Sequence, residues 1–133
     1  MADDGKSALI IDDIEANISL MEAILELEDY NILSATNGWE GLRLLTENKP
    51  DVILLDIMMD GMDGLEVLDR IISNESTRNI PVIMVSALQD EEYCAQSMSK
   101  GAIGYIRKPF NPITFLEEVK KLLFEKNTQK ISN

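Results

Sequence analysis

Five side chains carry the chemistry of this sequence. Asp56 follows the apolar run Val52-Ile53-Leu54-Leu55. Asp12 and Asp13 follow Leu9-Ile10-Ile11. Ser86 closes Pro81-Val82-Ile83-Met84-Val85, and Lys108 stands just past Ala102 to Ile106. A carboxylate that attacks phosphorus and forms an aspartyl phosphate is established nucleophilic catalysis. Phosphoryl transfer then asks mainly for positioning and for neutralisation of charge on the equatorial oxygens. A hydroxyl and an ammonium can supply part of that. Three carboxylates close together repel one another unless a counter-charge is present. Mg²⁺, which takes carboxylate oxygens and is often completed by phosphate, is a suitable one. The expected chemistry is therefore acceptance of a phosphoryl group on Asp56.

These residues meet only if the elements behind them put them at one place. Short apolar runs that end in polar residues read as strands buried on both faces of a parallel sheet. The expected strands are Ser7 to Ile11, Asn31 to Ala35, Val52 to Asp56, Pro81 to Ser86 and Ala102 to Ile106. Between them the helices run from Ile14 to Glu28, Trp39 to Asn48, Gly64 to Ser73 and Gln89 to Lys100, with a last helix opening at Asn111-Pro112. Capping boxes are read at Asp12 with Glu15, Asn37 with Glu40, Asp63 with Glu66 and Ser86 with Gln89. Gly101 suits a helix C-terminus and Pro112 a helix start. Ile14, Ile18, Met21 and Leu25 make the inward stripe of the first helix, which Leu20, Ile24 and Leu27 widen. Leu65, Leu68 and Ile72 point inward from the third helix. Phe115, Leu116, Val119, Leu122 and Leu123 do so from the last. The fourth helix has only Tyr93, Ala95 and Met98 as anchors and should be loosely held. Five strand-then-helix units give an α/β fold, a doubly wound (βα)5 parallel sheet. Right-handed crossovers put all the strand C-termini on one edge, where open α/β sheets bind ligands.

The totals narrow the function classes. A chain of 133 residues suits one domain, expected over residues 1–126, with a polar C-terminal tail over 127–133. Twenty-four acidic against 12 basic residues leave a net charge of -12, which argues against a nucleic-acid partner. With no histidine, imidazole is excluded as base, ligand or internal phosphoryl carrier. The single cysteine, Cys94, cannot form an internal disulfide. No apolar run approaches a membrane span and Met1 to Lys6 has no signal-peptide core, so a cytoplasmic protein without membrane attachment is expected. No glycine-rich loop follows the first strand, which disfavours a flavin or dinucleotide carrier.

Taken in order, the motifs Leu9-Ile10-Ile11-Asp12-Asp13 with Asn17, Asp56 with Met59 and Met62-Asp63-Gly64, Val85-Ser86-Ala87, and Gly104-Tyr105-Ile106-Arg107-Lys108-Pro109-Phe110 resemble the receiver domain of two-component response regulators. The resemblance covers nearly the whole chain. It implies a flavodoxin-like sheet of order 2-1-3-4-5 and phosphorylation of Asp56 by a histidine kinase or histidine phosphotransfer protein. It implies Mg²⁺ (or Mn²⁺) on Asp13, Asp56 and the main-chain carbonyl of Met58, with Asp12 acting through water. Ser86 and Lys108 would grip the phosphoryl oxygens, Tyr105 would turn inward as Ser86 moves, and Lys108-Pro109 would be cis. The wide apolar face of the first helix has two readings: Leu20, Ile24 and Leu27 pack on a neighbouring helix, or, as partner docking in the family implies, Ile14, Leu20 and Ile24 form a kinase-docking edge. Output to a downstream protein target would pass through the face of the fourth helix, fifth strand and last helix, from a monomer or a weak phosphorylation-dependent dimer.

Two departures stand out. Asp60 occupies a place where the family often has proline, adding charge beside the site. Met58 and Leu88, each two residues beyond a site residue, are apolar where the family's hydrolytic water passes, and neither side chain can orient water or take its proton. Slow self-dephosphorylation is therefore expected. Singly, each site residue also has an ordinary reading: Asp12, Asp13 and Ser86 as caps, Lys108 as a surface lysine, Tyr105 as an edge-strand aromatic, Met58 as loop packing. Three rival classes remain: a receiver fragment of a longer multidomain regulator, a receiver-like protein-binding module that is never phosphorylated, and a hydrolase of the Asp-x-Asp kind. Met58 stands where the last needs its acid/base.

Overall fold

The three central strands are short and buried on both faces, and the packing explains why. A computed structural model describes residues 5–132, with side-chain surroundings through residue 128. The opening segment 1–4 and Asn133 therefore lie outside the described residues. The strands are β1 (Ser7–Ile11), β2 (Asn31–Ala35), β3 (Val52–Leu55), β4 (Val82–Ser86) and β5 (Gly104–Arg107). All pairings are parallel and the order is β2-β1-β3-β4-β5, the flavodoxin-like arrangement. Successive side chains of a strand point to opposite faces. Ile53 and Leu55 of β3 thus join one core cluster and Val52 and Leu54 the other.

The helices are α1 (Glu15–Glu26), α2 (Gly38–Leu44), α3 (Gly64–Ser73), α4 (Glu91–Ser99) and α5 (Pro112–Ser132). Ile18, Met21, Ile24 and Leu25 of α1 and Phe115 and Val119 of α5 cover one face of the sheet. Val67, Leu68 and Ile71 of α3, Leu42 of α2 and Tyr93 of α4 cover the other. The polar stretch read as a tail is helical as far as Ser132.

Several local expectations need correction. The buried stripe of α3 is Gly64, Val67, Leu68 and Ile71, an i, i+3, i+4, i+7 set, while Leu65 and Ile72 lie at its margins. In α1, Ile14 is exposed and Ile24 is buried, so the wide apolar face splits differently from the reading. The chain after α2 tightens into i→i+3 bonds from Leu45, Thr46 and Glu47, which ends the helix before Asn48. Caps at Asn37 and Asp63 accept from the amides of Glu40 and Glu66 at 2.8 and 2.9 Å. The other two boxes do not form. Asp12 is turned toward Lys108 and its Oδ1 accepts from Ile14 N. Ser86 Oγ accepts from Leu88 N, and α4 starts later, with Asp90 as its cap on Glu92 N. The anchoring of α4 is as thin as expected but differently made: Ser97 is its buried residue, Tyr93 is half-buried, and Ala95 and Met98 are exposed. Its C-terminus closes through Gly101 at φ 112°, with Ala102 N donating to Ser97 O and Gly101 N to Met98 O.

Candidate functional site

The strand register delivers the site. Asp12 N donates to Ala35 O and Asp56 N to Ile11 O at 2.9 Å, so both aspartates continue their strands onto the same edge. On the far side, Lys108 N donates to Ser86 O at 2.9 Å and fixes the lysine beside β4. The Lys108-Pro109 peptide is cis. Asp12 and Ser86 are fully buried, Asp56 is 5% exposed, and Asp13 is open to solvent.

Lys108 Nζ donates to Asp12 Oδ2 at 2.7 Å and stands 3.7 Å from Asp56 Oδ1. Asp12 Oδ1 accepts from Ile14 N at 2.9 Å and from Asn17 Nδ2 at 3.4 Å. Asp56 Oδ1 accepts from Ile57 N at 2.9 Å. Each of Asp12, Asp13 and Asp56 offers a carboxylate oxygen within 4.8 Å of the others. Burial pushes the Asp56 carboxyl up to about 6; Lys108 opposes that shift, and the charges of Asp12 and Asp13 add to it. Three carboxylates against one ammonium leave two negative charges when all are ionised. Hard oxygen donors with that surplus fit a divalent cation of the Mg²⁺ or Mn²⁺ kind.

The close fit of backbone to site depends on Gly64. A Cβ there would lie 2.0 Å from the Asp56 carbonyl oxygen, so only glycine lets the start of α3 press against the strand end. Its N–H donates to Ile57 O at 2.8 Å, holding the loop after Asp56.

Tyr105 is half-buried and its hydroxyl donates to Leu88 O at 3.0 Å. Burial is the main cause that raises its pKa. Arg107 lies 5.4 Å from the Tyr105 ring centroid and pairs with Glu91 at 3.0 Å. Gln89, read as the first residue of a helix, instead donates through Nε2 to the carbonyls of Ala87 and Lys108, both at 3.2 Å. It thereby ties the Ser86 loop to the Lys108 loop. A glutamine carries no sequence signal for such a bridge.

The expected site residues Asp12, Asp13, Asp56, Ser86 and Lys108 thus come together, with Tyr105 and Leu88 bonded beside them. Met58 is 61% exposed and lines a pocket beside the site with Ile57, Met59 and Leu88. Of the expected docking residues, Ile14 and Leu20 are exposed at 54% and 45%, whereas Ile24 is only 3% exposed and is part of the core. Ile24 is withdrawn from any docking surface.

A five-stranded 2-1-3-4-5 sheet with an acidic pocket at its C-terminal edge defines the class. The chain belongs to the response regulator receiver domain family, whose model matches residues 8–120. It is 37% identical over 121 residues to the polar-differentiation response regulator DivK of Brucella anthropi, covering 89% of this chain and 96% of that protein. It is 38% identical over 114 residues to the response regulator PleD of Caulobacter vibrioides, covering 86% of this chain but 25% of PleD. The phosphate regulon transcriptional regulatory protein PhoB of Pseudomonas aeruginosa is 40% identical over 120 residues, 90% of this chain and 52% of PhoB. The chain therefore spans a quarter to about half of some relatives and nearly all of another. Among solved structures, a CheY-like receiver domain protein from Methanospirillum hungatei superposes with a TM-score of 0.85 at 32% identity, covering 94% of this chain and 98% of that one. The chain is accordingly a receiver domain of the two-component response regulator kind. No helix among the described residues is long and apolar enough to cross a membrane.

Proposed function

We propose that this chain is a phosphorylation switch that accepts a phosphoryl group on Asp56 from a histidine kinase or histidine phosphotransfer protein. The observation that carries the reading is the placement of buried Asp56, with Lys108 Nζ 3.7 Å from Oδ1 and the Asp12 and Asp13 carboxylates around it. An Asp56 carboxylate oxygen forms the bond to phosphorus. The phosphorus–nitrogen bond to the donor imidazole breaks, and the electron pair leaves with the ring nitrogen, which takes up a proton. Lys108 and the Ser86 hydroxyl hold the transferred oxygens, Lys108 giving up part of its contact with Asp12. Asp13, Asp56 and the Met58 carbonyl would hold Mg²⁺ or Mn²⁺, with Asp12 acting through water; when bound, that ion supplies neutralising charge to the phosphoryl oxygens.

Asp56 has no polar neighbour at Met58 or Leu88 to activate water, so the phosphorylated form is long-lived. Ile14 and Leu20 offer the apolar part of a donor-docking edge beside Asp12. The output is a shift in a pre-existing equilibrium of the face made by α4, β5 and α5, with Tyr105 reporting the state of Ser86. The whole-protein output is reached through that face whether the domain works alone, at the scale of DivK, or within a longer regulator, at the scale of PhoB.

The test is incubation with acetyl phosphate and Mg²⁺ followed by intact-mass measurement. The expected result is one added phosphoryl group in the wild type and none in Asp56→Asn. No added mass, or mass retained in the variant, would favour a receiver-like module that signals by binding alone.

A further inference from the structure

Beside the site, between the β3–α3 loop and α4, lies a pocket of about 290 Å³. Its walls are Ile57, Met58, Met59, Leu65, Leu88 and Tyr93. That volume is enough for one or two protein side chains. Met58 contributes an exposed, adaptable thioether at the mouth.

The pocket has an acidic lip. Asp60 and Asp63 both line it, and among the described residues neither takes part in an ion pair. Asp63 uses Oδ1 to cap α3, which leaves its other oxygen for a partner. The chain as a whole carries a net charge of -12, a field that steers cationic partners inward.

Both walls are also bonded to the site. Ile57 N donates to Asp56 Oδ1 at 2.9 Å. Across the pocket, Leu88 N donates to Ser86 Oγ at 3.2 Å, while Leu88 O accepts from the Tyr105 hydroxyl at 3.0 Å. Asp56 and Ser86 are thus each one hydrogen bond from a wall of the pocket.

We infer that this pocket docks a short segment of a protein partner in which an aliphatic or aromatic residue is flanked by lysine or arginine. The apolar side chain fills the pocket and the cations meet Asp60 and Asp63. The docking stands on the pocket itself; its coupling to Asp56 rests on the phosphoacceptor reading. By linkage, phosphorylation then changes the docking affinity by the same factor by which docking changes the phosphorylation equilibrium.

The experiment titrates isotope-labelled full chain with the peptide acetyl-Lys-Leu-Phe-Arg-amide and, separately, with acetyl-Glu-Leu-Phe-Glu-amide. The concentrations reach a few mM, where contacts worth about 4 kcal/mol become visible. The basic peptide should shift the amides of Met58, Leu65, Leu88 and Tyr93, and the acidic peptide should not. The double variant Asp60→Asn/Asp63→Asn keeps the α3 cap, because asparagine caps as well as aspartate. It should weaken the basic peptide about fivefold, the scale of two exposed charge pairs. Silence toward the basic peptide, equal response to both peptides, or unchanged affinity in the double variant overturns the docking.

The coupling is read by repeating the titration after acetyl phosphate treatment in which intact mass has confirmed the added group. A changed affinity supports it and an unchanged one overturns the coupling alone. Failure to gain mass overturns the acceptor reading and the coupling with it, while the docking is judged by the peptide arms.

Discussion

Asp56 is held in an environment that disfavours its own charge. Its carboxyl pKa is raised from 3.8 to about 6, chiefly by burial. A carboxyl whose folded pKa lies above its unfolded value binds its proton more tightly in the folded state. Its contribution to stability is thus favourable at low pH and is lost as pH rises from about 4 through 6. Asp56→Asn does not titrate and escapes the loss. In a metal chelator, the variant should melt above the wild type at pH 7.5 by on the order of 1–3 kcal/mol, with little advantage at pH 4. Thermal melts at the two pH values check this; an advantage independent of pH would show that burial of the charge is not its source. A second expectation concerns water. Met58 and Leu88 cannot orient or deprotonate it, so the phosphoryl group should persist for minutes rather than seconds without a phosphatase. Met58→Asn with Leu88→Gln should speed its loss about tenfold or more, within the usual range for a positioned polar group. Loss of label at equal rates in the two proteins would remove these side chains from the account. At this scale the sequence shows residue types well, since a charge or hydroxyl closing an apolar strand is conspicuous. It does not show pairings: that Lys108 lies closer to Asp12 than to Asp56 depends on distances no spacing encodes.

The elements differ sharply in how firmly they are held. Helix α3 buries Val67, Leu68 and Ile71 against the sheet, whereas α4 buries only Ser97 and rests its half-buried Tyr93 on the core. What otherwise holds α4 is local or exposed: the Asp90 cap, the Glu91–Arg107 pair and the C-terminal turn at Gly101. Local opening costs least where buried apolar contact is scarce. Amides of α4 should therefore exchange with solvent deuterium at least about tenfold faster than those of α3, a gap of about 1.4 kcal/mol in opening free energy. Equal protection would mean that α4 is not the loose member of its face and would move the expected output elsewhere. The thin apolar anchoring of α4 is legible in its sequence, but its start is not. Ser86 and Asp90 are both sound cap residues, and the choice between them was decided by Ser86 Oγ engaging Leu88 N and by Gln89 bonding across to Lys108 O. In α1 the apolar residues spread over more than one stripe, so periodicity could not say that Ile24 faces the sheet while Leu20 faces solvent.

At the scale of the whole molecule, the sheet order places β1, β3 and β4 side by side, so their polar ends converge without any long loop. The five alternating units were legible as a parallel sheet, because runs apolar on both faces can be buried only between two layers of helices. The strand order was not in the residues themselves; it came from the motif resemblance. The same convergence concentrates negative charge in a chain already at -12, and this sets how metal binding must be tested. Any salt screens self-repulsion in so acidic a molecule and raises its stability somewhat. A site-specific effect of Mg²⁺ is the part that exceeds NaCl at matched ionic strength. An ion that binds only the folded chain stabilises it by RT ln(1 + [L]/Kd), about 2.7 kcal/mol at 100 times Kd. That corresponds to a rise of several degrees in Tm for a domain of this size. Asp13 is the exposed carboxylate of the cluster, so Asp13→Asn removes one of the proposed ligands without emptying the core. The wild type should gain those degrees from Mg²⁺ over NaCl, and Asp13→Asn should lose most of the difference while keeping the common response to salt. If Mg²⁺ and NaCl raise Tm equally in the wild type, the three carboxylates do not form a metal site, and Lys108 is left as their counter-charge among the described residues.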